Sequence, residues 1–119
     1  MLKKVVVVLV LLCLYTCEEI IAVEDISEMD LTILAPTNNA TLDNTAINFS
    51  WQPIEFADSY QLQIATPNFE TPLQFVEDTL LTGSNFTKSL LSNEYQWRVR
   101  AINSAYETAY TTQNLSIED

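Results

Sequence analysis

The chain predicts an all-β protein, a seven-stranded sandwich running from Leu31 to Asp119, and three observations carry that reading. From Leu31 onward apolar and polar residues alternate over short runs, the period of a strand with one buried face, and no stretch keeps the 3.6-residue period of an amphipathic helix. The runs are separated by clusters of Pro, Asn, Asp, Ser and Thr, which favour turns. The third observation is the run Tyr95 to Ala101: Tyr95, Trp97, Val99 and Ala101 fall on one face, and Gln96, Arg98 and Arg100 on the other. That is the pattern of a half-buried antiparallel strand.

Taken in order, Leu31 to Ala35 predicts a first strand stopped by Pro36, with a turn through Thr37-Asn38-Asn39-Ala40-Thr41, because Asn tolerates left-handed backbone and Pro cannot continue a central ladder. Ile47, Phe49 and Trp51 share the inner face of a second strand that ends at Pro53. Tyr60, Leu62 and Ile64 do the same in a third, with Gln61 and Gln63 outward and Pro67 as its stop. A fourth covers Leu73 to Glu77, a fifth centres on Phe86 after the single glycine Gly83, the sixth is the Tyr95 run, and the last spans Tyr110 to Ile117.

The N-terminus has a different character. Lys3 and Lys4 precede a charge-free apolar run from Val5 to Leu14, too short to span a bilayer as a helix, and Leu14-Tyr15-Thr16-Cys17 resembles the lipobox of bacterial lipoprotein signals. The resemblance implies that residues 1–16 are a signal peptide and that Cys17 becomes a lipidated N-terminus, holding the protein to a membrane through its lipid. A cut after Ala22 is the rival site, but Ile20 is large where a small residue is wanted and Glu18 and Glu19 interrupt the apolar segment. Cys13 is a poorer candidate than Cys17, since Leu12 before it is not small. Residues 17–30 carry Glu18, Glu19, Glu24, Asp25, Glu28 and Asp30, with Ile20, Ile21 and Met29 too sparse to make a face. They read as an acidic tether able to extend on the order of 40 Å. Acids directly after the lipidated cysteine resemble the signal that sends some lipoproteins to the outer surface of the outer membrane, and a plain solvated linker explains them equally well. The expected location is the cell envelope, as an outer-membrane lipoprotein.

Charge bounds the partners. The chain has five basic and sixteen acidic side chains, a net charge of −11. Without Lys3 and Lys4, only Lys88, Arg98 and Arg100 oppose those sixteen acids. Such a balance repels phosphate backbones, so no nucleic-acid partner is expected. It favours solubility at a crowded surface.

Trp51-Gln52-Pro53, Ala57-Asp58-Ser59-Tyr60-Gln61-Leu62-Gln63-Ile64 and Tyr95-Gln96-Trp97-Arg98-Val99-Arg100-Ala101-Ile102-Asn103 together resemble the fibronectin type III-like domains of bacterial surface proteins, over about Leu31 to Ile117. The resemblance implies an immunoglobulin-like sandwich for residues 31–119, with Trp51 as a core anchor and Tyr95 packed at the corner that opens the sixth strand. Behind a lipoprotein leader and an acidic tether, the architecture also looks like the N-terminal module of outer-membrane starch-binding lipoproteins. These residues specify a fold that hosts many unrelated roles.

Chemistry is sparse. The chain has no histidine, and both cysteines, Cys13 and Cys17, precede the domain, so the commonest general base, a thiol nucleophile, a disulfide and the usual zinc ligands are all missing from it. Glu77 and Asp78 are adjacent and on a strand point to opposite faces, which rules them out as a facing acid/base pair. No Asp-x-Asp-x-Asp-Gly loop suggests calcium. No enzyme activity, metal or cofactor is expected. Trp51 and Trp97 lie in phase with the core, whereas Tyr106, in the turn Ser104-Ala105-Tyr106-Glu107, and Phe69, in the connection after Pro67, do not. Tyr106 also stands near the place where relatives usually carry glycine for a tight turn. Tyr106 and Phe69 are therefore the candidate binding residues, Tyr106 with an accommodated turn as its alternative. Four Asn-x-Ser/Thr triplets match an N-glycosylation pattern that a chain rich in these residues meets by chance, and Asp78-Thr79-Leu80 resembles a periplasmic O-glycosylation signal. The expected function is a non-catalytic binding or spacer module with an envelope protein or glycan as partner. The alternatives are a carbohydrate-binding accessory lipoprotein, marked by exposed rings, and a structural envelope subunit, marked by an uncovered apolar sheet face.

Overall fold

The computed structural model describes residues 22–43 and 45–119; the leader, Cys17 and the first part of the acidic segment lie outside the described residues. Eight strands form two sheets: β1 (Ile33–Ala35), β2 (Ala40–Leu42), β3 (Ala46–Trp51), β4 (Ser59–Thr66), β5 (Gln74–Leu81), β6 (Asn85–Ser89), β7 (Asn93–Ile102) and β8 (Thr111–Ile117). One sheet has the order β1-β3-β6 and the other β2-β8-β7-β4-β5. All pairings are antiparallel except β2 with β8.

Alternation along the strands explains why the two sheets face each other. Ile47, Phe49 and Trp51 of β3 meet Tyr60, Leu62 and Ile64 of β4, Tyr95, Trp97, Val99 and Ala101 of β7, and Leu115 and Ile117 of β8 in one core. Trp51 and Trp97 are buried, as their phase predicts. Phe49 meets Trp97 edge-on with ring centroids 4.8 Å apart, and Trp51 meets Tyr60 at 5.6 Å. Such pairs contribute about 0.5 to 1.5 kcal/mol beyond the area they bury. The Tyr60 hydroxyl accepts from the backbone N–H of Ile54 at 2.9 Å, fixing the chain after Pro53. Tyr95 closes the corner as expected: its hydroxyl donates to the Leu91 carbonyl at 2.7 Å.

The structure corrects three expectations. The strand count is eight, because the first strand is split: Ala35 ends pairing with β3, and after Pro36 the chain crosses to the other sheet, where Ala40 to Leu42 run parallel to Leu115 to Ile117. Pro36 has no N–H for the ladder, and Asn39 takes the left-handed turn at φ 64°. Residues read as turn, Ala40 and Thr41, are thereby recruited as strand. The fourth strand runs from Gln74 to Leu81 instead of Leu73 to Glu77, since β4 offers it a full-length edge from Thr66 back to Tyr60.

Part of the segment expected as an acidic tether, residues 17–30, instead belongs to the folded body. Ile26 is completely buried in the core cluster, the Met29 N–H donates to the Ile26 carbonyl at 3.0 Å, and the Asp25 carboxylate accepts from the Ser27 N–H and hydroxyl. An apolar side chain that fits between two sheets gains more from burial than a solvated tether gains from freedom. The folded body therefore begins before Leu31.

Candidate functional site

Tyr106 sits between β7 and β8 and remains 38% exposed. No other aromatic ring contacts it among the described residues. Its turn needs no glycine. The Asn103 side-chain carbonyl accepts the N–H groups of Ala105 at 3.0 Å and Tyr106 at 2.8 Å, and the Asn103 N–H donates to the Tyr106 carbonyl at 2.9 Å. This Asx-type closure keeps φ negative through the turn, in which no residue adopts the left-handed region. The alternative of an accommodated turn thus describes the backbone, while the ring itself stays open to solvent.

Asn103 is the residue that sequence reasoning missed. It is buried, and its Nδ2 donates to the carbonyls of Glu24 at 2.8 Å and Phe56 at 3.3 Å. One amide thus ties the N-terminal segment, the β3–β4 loop and the β7–β8 turn together. A polar residue just past an alternating strand is the signal that could have marked it. Phe56 is held there at φ 68° with its side chain 57% exposed.

Phe69 belongs to a different place, the outward face of the five-stranded sheet. The β4–β5 connection folds back over that face, and the Phe69 N–H donates to the Gln96 side chain at 3.0 Å. The Arg98 guanidinium lies 4.1 Å from the Phe69 ring centroid and 4.3 Å from that of Tyr110, so rings cover both its flanks. Its Nε donates to the Gln63 side-chain oxygen at 2.8 Å. Phe75 meets Phe69 edge-on at 5.6 Å and is itself 45% exposed. Arg100 sits 4.6 Å from Tyr110, donates to Gln61 at 2.7 and 3.1 Å, and pairs with Glu107 at 3.0 Å. The structure therefore places Tyr106 and Phe69 in separate regions. Phe69 is half-buried within a row that runs Phe75, Phe69, Arg98, Tyr110, Arg100 across the sheet.

The carboxylates stay apart. Glu77 meets Lys88 at 3.6 Å, while Asp78 on the other face accepts from Gln61 Nε2 at 3.0 Å. Among the described residues no three acidic or cysteine side chains gather where they could hold a metal ion. The outward faces of both sheets are largely polar; on the smaller one Asn48 bonds Thr87 at 2.8 Å. Leu34, Leu73, Leu80 and Leu91 are exposed.

No protein-family model matches the chain, and no curated protein resembles it closely enough to count as a relative. Solved structures do resemble it. An Fn3-like protein from Clostridium thermocellum shares 20% identity at a TM-score of 0.50, covering 76% of this chain and 90% of that one. The fibronectin(III)-like modules of Clostridium thermocellum CbhA share 5% at 0.55, covering 75% and 96%. The fn3 domain of the human collagen alpha-1(XX) chain shares 14% at 0.57, covering 78% and 90%. Identities this low speak for architecture alone, and with the two-sheet topology and the Tyr95 corner they show that the chain has the fibronectin type III fold, an all-β sandwich.

Proposed function

We propose that this chain is a membrane-anchored, non-catalytic binding or spacer module of the bacterial cell envelope, held by lipid on Cys17 in the outer membrane. The observation that carries it is the combination of one leader and one fold: a basic, then apolar segment ending at Cys17, followed by a single sandwich of the kind that bacterial Fn3-like proteins share. A diacylglycerol on the sulfur with a second acyl group on the new N-terminus exceeds the two-signal minimum for stable anchoring. Fractionation of cells tests the anchoring: the wild type partitions with membranes and Cys17→Ala moves to the soluble fraction, whereas a soluble wild type, or a mature N-terminus at Val23, refutes it. Crosslinking on intact cells, followed by purification, tests for a partner.

A second reading, a carbohydrate-binding accessory protein, is favoured by the row of Phe75, Phe69, Arg98 and Tyr110. Flat rings beside planar amides and a guanidinium match the mixed apolar and hydrogen-bonding character of a sugar. Tyr106 and Phe56 are further exposed rings open to a partner.

A further inference from the structure

We propose that the outward face of the five-stranded sheet, centred on Arg98, binds a carboxylate-bearing sugar, a hexuronate unit of a glycan; this rests on reading the chain as a binding module and gives that module a ligand class. Three independent observations meet at Arg98. The first is its pairing. In a chain with sixteen acidic side chains, Lys88 has Glu77 and Arg100 has Glu107, yet no carboxylate lies within ion-pair distance of Arg98 among the described residues. The second is its pre-organisation. Phe69 and Tyr110 cover the two flanks of the guanidinium and Gln63 takes its Nε, so its orientation is fixed while Nη1 and Nη2 have no hydrogen-bond partner among the described residues. A guanidinium shielded by rings is less hydrated and already ordered. Its terminal fork accepts a planar two-oxygen anion at little further entropic cost. The third is what surrounds it. Thr112, paired across from Arg98 and exposed, makes no side-chain hydrogen bond, and Phe75 offers an exposed ring at the end of the row.

A hexuronate combines these needs in one unit. Its carboxylate sits on the ring carbon beside the ring oxygen, its C–H groups suit an aromatic face, and its hydroxyls suit Thr112. Asp78, Glu107 and Glu94 are engaged by Gln61, Arg100 and Ser116, which leaves the Arg98 fork without a competing carboxylate among the described residues.

The test uses the full-length protein in mild detergent and titration calorimetry with oligogalacturonate, oligoglucuronate and oligomannuronate, their methyl esters, and a glutamate-rich peptide. At least one oligouronate binds, its methyl ester binds about tenfold more weakly, and Arg98→Lys loses about tenfold, or about 1.4 kcal/mol, because an ammonium lacks the fork. Phe75→Ala, which also loses its edge-on contact with Phe69, weakens binding in a protein that remains folded. The proposal is overturned if no oligouronate binds, if ester and acid bind equally, if a folded Arg98→Lys protein binds like wild type, or if the peptide binds as well as the sugar. Should Arg98→Lys fail to fold, the ester comparison and Phe75→Ala still decide. Failure of every sugar while a crosslinked partner is recovered from cells leaves the binding-module reading standing; failure of both removes it.

Discussion

The hydroxyl of Tyr95 donates to the carbonyl of Leu91 at 2.7 Å, a bond that ties the start of β7 to the connection before it. Burial pushes the Tyr95 pKa above the ordinary tyrosine value, partly offset by that bond to Leu91. Tyr95→Phe keeps the ring and loses the bond, so denaturant melts show a loss of about 1 kcal/mol. The pH dependence has a definite sign. Above the ordinary tyrosine pKa the unfolded chain ionises first, so it binds fewer protons than the folded chain and stability falls as pH rises. This contribution is full below about pH 10 and disappears through the higher folded value, and Tyr95→Phe removes that part of the alkaline loss.

Trp97 and Trp51 are buried, and their indole N–H groups find no acceptor among the described residues. Truncation of either to alanine costs about 3 to 5 kcal/mol, enough to unfold a marginal domain. Trp97→Phe costs less than the alanine variant, because the ring still meets Phe49 and the unpaired donor is gone. Urea titrations of the two variants rank them. Equal losses would contradict this account of the core.

Ile26 gives the test of where the folded body begins. Ile26→Ala removes a fully buried side chain and lowers stability by about 2 to 5 kcal/mol, whereas a residue of a free tether would change nothing. Glu28→Ala serves as the exposed control. A melt of both variants beside wild type is sufficient.

Asn103 and Tyr106 divide structure from recognition at one turn. Asn103→Ala leaves the N–H groups of Ala105 and Tyr106 and the carbonyl of Glu24 without their partner, costing about 1 to 3 kcal/mol. Tyr106→Ala, at an exposed ring, leaves the melting temperature within a few degrees of wild type, since surface changes stay within about 0.5 kcal/mol. Any loss of capture by the crosslinked partner in Tyr106→Ala then belongs to contact, not to unfolding.

The strands that read most clearly in the sequence are those whose burial repeats every second residue, as in Tyr95-Trp97-Val99-Ala101 and Ile47-Phe49-Trp51, because one buried face leaves a periodic imprint. The short β2 left none. Ala40 to Leu42 are strand only because Leu115 to Ile117 offer them an edge, a contact about 75 residues away that no local pattern encodes. Ile26 was silent for the same reason: one apolar residue among acids has no period. Of the site, exposure of Tyr106 followed from its place in a turn, but the capture of Arg98 by Phe69 and Tyr110 depends on a loop folding back across the sheet. Outward phase alone suggested a solvated arginine, whose removal would matter little. Packed between two rings, it also contributes contact area.

The path of the chain before the first strand sets the domain's bearing. Ala22, Val23 and Glu24 run beside Phe56, Asn103 and Ser104, at the end of the sandwich where the β3–β4, β5–β6 and β7–β8 turns lie. Whatever attaches the protein through its N-terminus therefore pulls on that end. Under the proposed anchoring through Cys17, Tyr106 and Phe56 lie at the anchored end, while the β2–β3, β4–β5 and β6–β7 connections lie at the opposite one. Arg98 and its flanking rings lie halfway along the strands, so under the same proposal they would meet a polymer running across the axis of attachment.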